Sequence, residues 1–244
     1  MRSLFAGFLV FTLLLTSCAG ADMPNRIGKK RAKPAVKTEN LPNYNRRMFR
    51  FGVNLGLIHT GLAVRPIADL RTLLPDTIYG VSSIWEPGFS MGIESSMRLG
   101  ERWRLKFSPT LSLAGRVMEF RRPGRVDQFR FESTLAEFPF HFKYQSVRLT
   151  NFSAYLIGGM KYTFDLSSKV GSSDGASFPI KLRPHDLQIE AGVGFEFYLP
   201  YFKLSTQLKT AWGLMDVHYP DFNLYSRAIE HMQARSIYIS FLFE

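Results

Sequence analysis

Residues 137–144 read Glu137-Phe138-Pro139-Phe140-His141-Phe142-Lys143-Tyr144. Every second residue is aromatic, and the residues between them are Glu, Pro, His and Lys. A repeat of two is the side-chain period of a β-strand, whereas an α-helix repeats about every 3.6 residues. The pattern therefore predicts a strand with one bulky apolar face and one polar face.

The same alternation recurs from Met48 to the end of the chain. Eight segments place Phe, Leu, Ile, Trp or Met opposite charged or small residues. They are residues 49–58, 89–99, 103–117, 129–144, 152–164, 187–197, 202–214 and 237–243. In the fourth segment the phase slips near Leu135–Ala136, which predicts a β-bulge at that point.

The connections between these segments alternate between short and long. The short ones are residues 100–102, 145–150 and 199–201, and the long ones are residues 61–87, 120–128, 165–179 and 217–235. Short turns at one end and long loops at the other are typical of outer-membrane barrels with both termini in the periplasm. We therefore predict an all-β fold over residues 48–244, an eight-stranded antiparallel up-and-down transmembrane β-barrel. It would be integral to the cell outer membrane and surrounded by outer-membrane lipid.

A soluble up-and-down barrel of the lipocalin type is the alternative, because it shares the two-residue period. Such a barrel would point its apolar face inward. An eight-stranded barrel has an interior just wide enough for side chains or one small ligand. Here the apolar face carries Phe, Trp, Leu and Met, whereas the other face mixes charged residues with Gly, Ser and Ala. Side-chain volume therefore favours the membrane barrel.

Composition narrows the class of protein further. Hydrophobic residues make up 45% of the chain and charged residues 21%, which is enough apolar material for an ordered body. The formal net charge is +11, and the single cysteine excludes a disulfide framework and a Cys-clustered metal site. No apolar run after residue 21 is long enough for a transmembrane helix.

The first 21 residues have the layout of a secretory signal peptide, with Arg2, an apolar run over residues 4–15, and then small residues. Cleavage after Ala21 would follow an A-x-A sequence and would remove Cys18. Residues 15–18, Leu-Thr-Ser-Cys, also resemble a bacterial lipoprotein box, in which Cys18 would be lipidated. Both alternatives export the chain, so we do not expect nucleic acid as a partner.

Residues 22–47 differ from the rest of the chain, because they hold eight Lys and Arg against two acids and few large apolar residues. We predict a basic periplasmic arm. One interpretation is a solvated linker. The other is an interaction arm for an acidic partner or an anionic surface. The candidate contact residues are Lys29, Lys30, Arg31, Lys33 and Lys37.

The polar faces of the strands predict a charged barrel interior. The inward carboxylates would be Glu94, Glu137, Glu190 and Glu196, and the inward cations Arg98, Arg104, Lys106, Arg116, Lys143, Lys161 and Lys209. A closed lumen removes water from these groups, so each must find a partner or carry a penalty. We interpret them as a plug of ion pairs. The alternative is a selective path for an ion or a small solute, for which an eight-stranded barrel has little room.

Catalytic motifs are poorly represented. The five histidines lack H-E-x-x-H spacing, and Gly192-Val193-Gly194 lacks the third glycine and the helix of a dinucleotide fingerprint. His59, near the outer end of the first strand, resembles in its position the catalytic histidine of outer-membrane acyltransferase barrels. No Ser and Asp partner for it can be identified. We therefore expect no enzyme activity, no cofactor and no metal.

Four segments resemble the PorT-like family of outer-membrane β-barrels of Bacteroidetes. Residues 135–144 look like the family's strand with the pattern E-[aliphatic]-P-…-K-Y, and residues 155–159, Tyr-Leu-Ile-Gly-Gly, look like the next strand. Residues 186–196 look like its sixth strand, and residues 212–214, Trp-Gly-Leu, match the end of its seventh. The resemblance extends over residues 48–244. One departure is Glu244, since barrels commonly end on an aromatic residue such as Phe243.

The resemblance implies a barrel without catalytic residues that belongs to the type IX secretion system. That system exports proteins bearing a C-terminal sorting domain, including secreted proteases and gliding adhesins. The implied partners are other secretion-system proteins in the outer membrane and periplasm. The alternative function is that of a general outer-membrane barrel, either adhesin-like or binding a small solute.

Overall fold

The computed structural model describes residues 39–67, 78, 80–167, 181–219 and 224–244. The predicted signal peptide lies outside these residues. So do residues 22–38 of the predicted arm, which include all five of its candidate contact residues: Lys29, Lys30, Arg31, Lys33 and Lys37. The division of the chain at residues 21 and 47 stays a prediction.

The described residues form eleven strands and two short helical segments. The strands are β1 (Phe49–Pro66), β2 (Gly80–Arg98), β3 (Trp103–Phe107), β4 (Thr110–Arg122), β5 (Arg125–Gln145), β6 (Phe152–Asp165), β7 (Lys181–Leu182), β8 (His185–Tyr198), β9 (Lys203–Gly213), β10 (His218–Tyr219) and β11 (Ile229–Phe243). A 3-10 turn spans Tyr44–Arg46, and helix α1 spans Leu224–Arg227. In this part of the chain no helix is long and apolar enough to cross a membrane.

Antiparallel pairings join the long strands into a closed ring. The ring runs β1, β2, β4, β5, β6, β8, β9 and β11, and β11 pairs with β1 to close it. Strand β3 occupies the same place in the ring as β4, because it also pairs with β2 and β5. The single third strand that we predicted over residues 103–117 is therefore divided at Ser108–Pro109. The predicted eight-stranded up-and-down barrel is confirmed.

The outward face of the ring is apolar, as predicted, except near the long-loop end, where Arg130 and Glu132 of β5 face outward. Phe51 is 68% exposed, and Phe140, Phe195 and Phe241 are also exposed, while Leu105 is half-buried. The neighbouring residues in each strand point into the lumen and are buried. Because successive side chains of a strand point to opposite faces, the alternation in the sequence is sufficient to set these orientations.

The strands extend further toward one end of the barrel than the alternation predicted. The connection predicted over residues 120–128 is instead a tight turn at Pro123 and Gly124, where Gly124 has a φ of 71°. Strand β1 continues to Pro66, and β11 begins at Ile229 rather than near residue 235. We call this the long-loop end, and we call the end with the turns at 99–102, 146–151 and 199–202 the short-turn end.

The long-loop end is filled by a cluster of apolar side chains, the loop-end cluster. Its buried members are Leu62, Ile78, Met118, Phe120, Leu182, Val217, Ala228, Ile229 and Met232. Phe129 and Phe131 of β5 pack against it from inside the barrel. The cluster closes the lumen at this end.

The bulge predicted at Leu135–Ala136 is wrong. Strand β5 pairs with β4 in an unbroken register there, with Ala136 opposite Leu111. The polarity of the lumen changes at Leu135, from polar toward the short-turn end to apolar toward the long-loop end. The apolar residues of β5 therefore change faces while the backbone alternation continues. The register shift involving β2 lies elsewhere, between Trp85 and Gly88.

We expect Phe140→Arg to lower the free energy of unfolding by about 2–4 kcal/mol, because the guanidinium would enter the apolar part of the bilayer. Tyr201→Arg is the matched control, since Tyr201 lies in a turn and is 94% exposed. It should change the free energy by less than about 0.5 kcal/mol. Chemical unfolding of both variants in phospholipid vesicles measures the difference. Equal effects, or recovery of the folded protein without lipid or detergent, would contradict a lipid-facing wall.

Candidate functional site

The charged side chains that could form a functional site lie mainly in the lumen, because the polar faces of the strands turn inward there. Ten of the eleven predicted inward charges are less than 10% exposed. They are Glu94, Glu137, Glu190, Glu196, Arg104, Lys106, Arg116, Lys143, Lys161 and Lys209. Arg98 is only partly buried.

The centre of the lumen is an ion-pair network around Lys161. Its Nζ lies 3.0 Å from Glu137 Oε1 and 3.0 Å from Glu190 Oε1. It also donates a hydrogen bond of 2.5 Å to the hydroxyl of Tyr238, which in turn donates to Glu137 over 2.6 Å. Lys209 lies 3.3 Å from Glu190 Oε2. We call these five residues the central network.

A second group of ion pairs lies nearer the short-turn end. Lys106 Nζ is 2.7 Å from Glu94 Oε1, and Lys203 Nζ is 2.8 Å from Glu196 Oε1. Lys143 also donates to Glu196. The other carboxylate oxygen of Glu196 accepts hydrogen bonds from the side chains of Gln145, Ser153 and Tyr198.

Three predicted lumen cations are not brought to a carboxylate. Arg98 donates to the carbonyl of Gly100, and Arg104 donates to carbonyls of residues 45 and 47. Among the described residues, Arg98, Arg104 and Arg116 have no carboxylate oxygen within salt-bridge distance. The lumen therefore contains more cations than its carboxylates neutralise.

Sequence reasoning missed several inward residues that the structure adds to the network. His141 Nε2 lies 2.5 Å from Glu190 Oε2, and Lys203 contacts both Glu196 and Glu244. Arg50 is buried with its Nη1 3.7 Å from Glu244 Oε2. Only the alternation of the strands could have indicated these residues, since each of them occupies a polar position in a strand or directly follows a strand.

Residues 39–47, the last part of the predicted arm, fold across the short-turn end. We call this segment the strap. Asn40 donates to the side chain of Asn151 over 2.8 Å and to the carbonyl of Tyr198 over 2.9 Å. Arg148 donates to the carbonyl of Leu41 over 3.2 Å.

The middle of the strap is held by lumen residues. Arg104 Nη2 donates to the carbonyl of Asn45 over 2.7 Å, and the hydroxyl of Tyr44 donates to Glu244 Oε2 over 3.3 Å. Burial, followed by the negative charge of Glu244, raises the pKa of the Tyr44 phenol well above its ordinary value. Tyr44 therefore stays protonated and remains a donor. The strap closes the short-turn end of the lumen.

The long-loop end carries its own polar contacts above the loop-end cluster. Asp216 accepts hydrogen bonds of 3.0 Å from the backbone N–H groups of His218 and Met232 and contacts His231. Burial raises the pKa of the Asp216 carboxyl, but the His231 contact and the two backbone bonds together lower it below its usual value. These bonds tie the connection after β9 to β11.

A cleft of about 850 Å³ lies at the register shift of β2. It is lined by Glu86, Arg130, Glu132 and His59 at its polar edge, and Glu86 pairs with Arg130. His59 stacks on Trp85 with ring centroids 5.5 Å apart, and no hydrogen bond or ion pair in the described part of the chain involves its ring. The described residues also contain no group of three or more His, Cys, Asp and Glu that could hold a metal ion.

Comparison with known proteins identifies the class to which this barrel belongs. A profile described as an outer membrane protein beta-barrel domain matches residues 35–219. The chain belongs to this family. The protein is therefore an integral outer-membrane β-barrel. No curated protein matches the sequence.

The chain is similar to several solved structures. OprG of Pseudomonas aeruginosa is 10% identical, with a TM-score of 0.46 over 85% of this chain and 95% of that one. Neisserial surface protein A is 10% identical, with a TM-score of 0.42 over 80% and 98% of the two chains. Ail of Yersinia pestis is 10% identical, with a TM-score of 0.36 over 80% and 97%.

Glu190→Leu should lower the free energy of unfolding by about 3–5 kcal/mol, because it leaves Lys161 and Lys209 with too few buried partners. Glu230→Leu is the control, since its pair with Arg65 is solvent-exposed. It should cost at most about 1 kcal/mol. Denaturant unfolding in detergent micelles compares the two. A Glu190→Leu barrel as stable as the control would refute the central network as a structural element.

The strap and the loop-end cluster cover the two ends of the lumen, so we predict that the barrel does not form an open channel. Purified protein in a planar bilayer should give no large steady conductance, because the central network and the loop-end cluster fill the lumen. Deleting residues 39–47 should leave the conductance low, since it opens only the short-turn end. Steady channels of porin size in the wild type would contradict the closed lumen.

Proposed function

We propose that this protein is a non-enzymatic component of the type IX secretion system of the outer membrane, a PorT-like member of its family. It would be needed for export of proteins with C-terminal sorting domains, and it would act by contact with other proteins. The observation that carries this proposal is the filled and doubly closed lumen.

The lumen excludes passage of cargo through the barrel. An eight-stranded barrel is only wide enough for its own side chains or one small ligand. Here the interior holds the central network, and each end is covered by the strap or by the loop-end cluster. A protein that serves secretion with such a barrel must dock or assemble a larger translocon.

The family resemblance supports the choice of secretion system. Its four segments, residues 135–144, 155–159, 186–196 and 212–214, lie on or at the end of β5, β6, β8 and β9, which are consecutive neighbours in the ring. One continuous half of the wall therefore carries the resemblance, rather than isolated turns. PorT itself is our preferred member.

The orientation of the barrel follows from the same proposal. We place the short-turn end and both termini in the periplasm, as short turns in outer-membrane barrels are. The strap then lies at the periplasmic surface. The preceding arm would present Lys29, Lys30, Arg31, Lys33 and Lys37 to an acidic partner among the periplasmic or outer-membrane secretion proteins. Such an association is weakened by salt.

Deleting the gene should leave sorting-domain cargo inside the cell, and changing the five arm residues to Gln should give a milder export defect. The measurement is the amount of cargo in the culture supernatant compared with the periplasm. The matched control changes Arg65, Arg121 and Arg125, exposed arginines at the long-loop end, to Gln. It should restore normal export to the deletion strain.

Normal export in a clean deletion strain would remove the secretion role. A deletion that changes only adhesion of cells to surfaces, or uptake of a small solute, would support the alternative of a general outer-membrane barrel. An arm variant that exports as well as the wild type would leave the secretion role in place but would refute the arm as a contact surface.

A further inference from the structure

The charges of the lumen divide into two groups with different balances. In the central network, Lys161 and Lys209 are matched by Glu137 and Glu190. Toward the short-turn end, three lysines take up three carboxylates: Lys106 with Glu94, Lys143 with Glu196, and Lys203 with Glu196 and Glu244. The carboxylates at this end are therefore already neutralised by lysines.

Two buried arginines at the short-turn end add positive charge beyond that of the three lysines. Arg50 and Arg104 are each 3% exposed. All three guanidinium nitrogens of Arg50, and Nη1 of Arg104, have no hydrogen-bond partner among the described residues. The carboxylate nearest to Arg50 is that of Glu244, at 3.7 Å and already shared with Lys203. The two guanidinium groups also repel each other.

A third residue with an unpaired hydrogen-bond donor lies in the same part of the wall. Ser96 of β2 is directly opposite Arg50 of β1 and Lys106 of β3 in the strand register. Its hydroxyl is buried and has no partner in the described part of the chain. Three adjacent strands thus direct two guanidinium groups and one hydroxyl toward one region of the lumen.

We propose that Arg50, Ser96 and Arg104 form a binding site for a small inorganic oxyanion of the phosphate or sulfate class. Guanidinium groups bind oxyanions through pairs of charge-assisted N–H···O bonds, and a hydroxyl supplies a further donor. An oxyanion there would neutralise charges that are costly to bury unpaired. It would also occupy donors that have no hydrogen-bond partner among the described residues.

The strap limits the size of the ligand. The Tyr44 ring covers one side of Arg50, with the guanidinium carbon 5.1 Å from the ring centroid. This cation–π contact stabilises the charge but accepts no conventional hydrogen bond. Arg104 Nη2 donates a hydrogen bond to the carbonyl of Asn45, so Arg104 contacts the strap and also belongs to the proposed site. A ligand beneath the strap must be compact, which favours a free anion over the headgroup of a lipid.

The test is a thermal unfolding titration of the full chain in non-ionic detergent. Phosphate, sulfate or chloride is added at constant ionic strength, and unfolding is followed by the heat-dependent shift in gel mobility. Phosphate and sulfate should raise the midpoint progressively with concentration, as a ligand of the folded state does, and chloride should raise it less. Arg50→Met should abolish the rise. Arg102→Met, which changes an exposed arginine in a turn, should retain it.

The outcomes separate the site from a general salt effect. An equal rise in the wild type and in Arg50→Met, or no rise in the wild type, would overturn the proposal. If Arg50→Met does not fold, Ser96→Val keeps both arginines and should require several-fold more phosphate for the same rise. An unchanged response of Ser96→Val would then count against the site. Phosphatidylglycerol that replaces phosphate fully would refute a small enclosed anion.

Discussion

The whole structure depends on one constraint, which is that a ring of eight strands must fill its own narrow lumen with the side chains of its inward faces. Charged side chains are admissible there only if they meet partners from other strands. Lys161 of β6 satisfies this by contacting Glu137 of β5, Glu190 of β8 and Tyr238 of β11. The central network therefore connects strands that are not neighbours in the ring. It adds cross-lumen contacts to the hydrogen bonds of the wall.

The sequence predicts the fold wherever the apolar side chains of a strand stay on its outward face. Lipid outside and charge inside give β5 its alternation between Glu137 and Tyr144. Toward the long-loop end the polarity of β5 is reversed, because Phe129 and Phe131 pack inward on the loop-end cluster while Arg130 and Glu132 are exposed on the outward side. The strand continues there although its apolar residues have moved to the inward face. This reversal explains why the strands appeared too short and why a change of lumen polarity resembled a bulge.

The candidate site could be predicted only in part, for a different reason. The position of a residue in the two-residue alternation of its strand determines whether its side chain points inward. The sequence therefore predicts whether that side chain is buried. The alternation does not determine which inward groups meet, because partners such as His141 and Glu190 are far apart in sequence and are joined by tilt and register. The strap had no sequence signal at all. Its backbone carbonyls accept hydrogen bonds from Arg104 and Arg148, so the specificity lies in residues distant from it.

The distribution of charge separates the structural part of this protein from the part available to partners. Residues 22–47 contribute eight cations and two acids, which is a net charge of +6 out of the chain's net charge of +11. The lysines of the lumen are consumed by buried carboxylates and cannot contact another protein. In contrast, Arg46 and Arg47 of the strap are exposed, and Arg98 and Arg104 stand behind it. The cations available to other molecules at the short-turn end therefore belong to the strap and not to the lumen. Exposed arginines also lie at the long-loop end, among them Arg65, Arg121 and Arg125, so surface charge alone does not select the end at which an acidic molecule would bind.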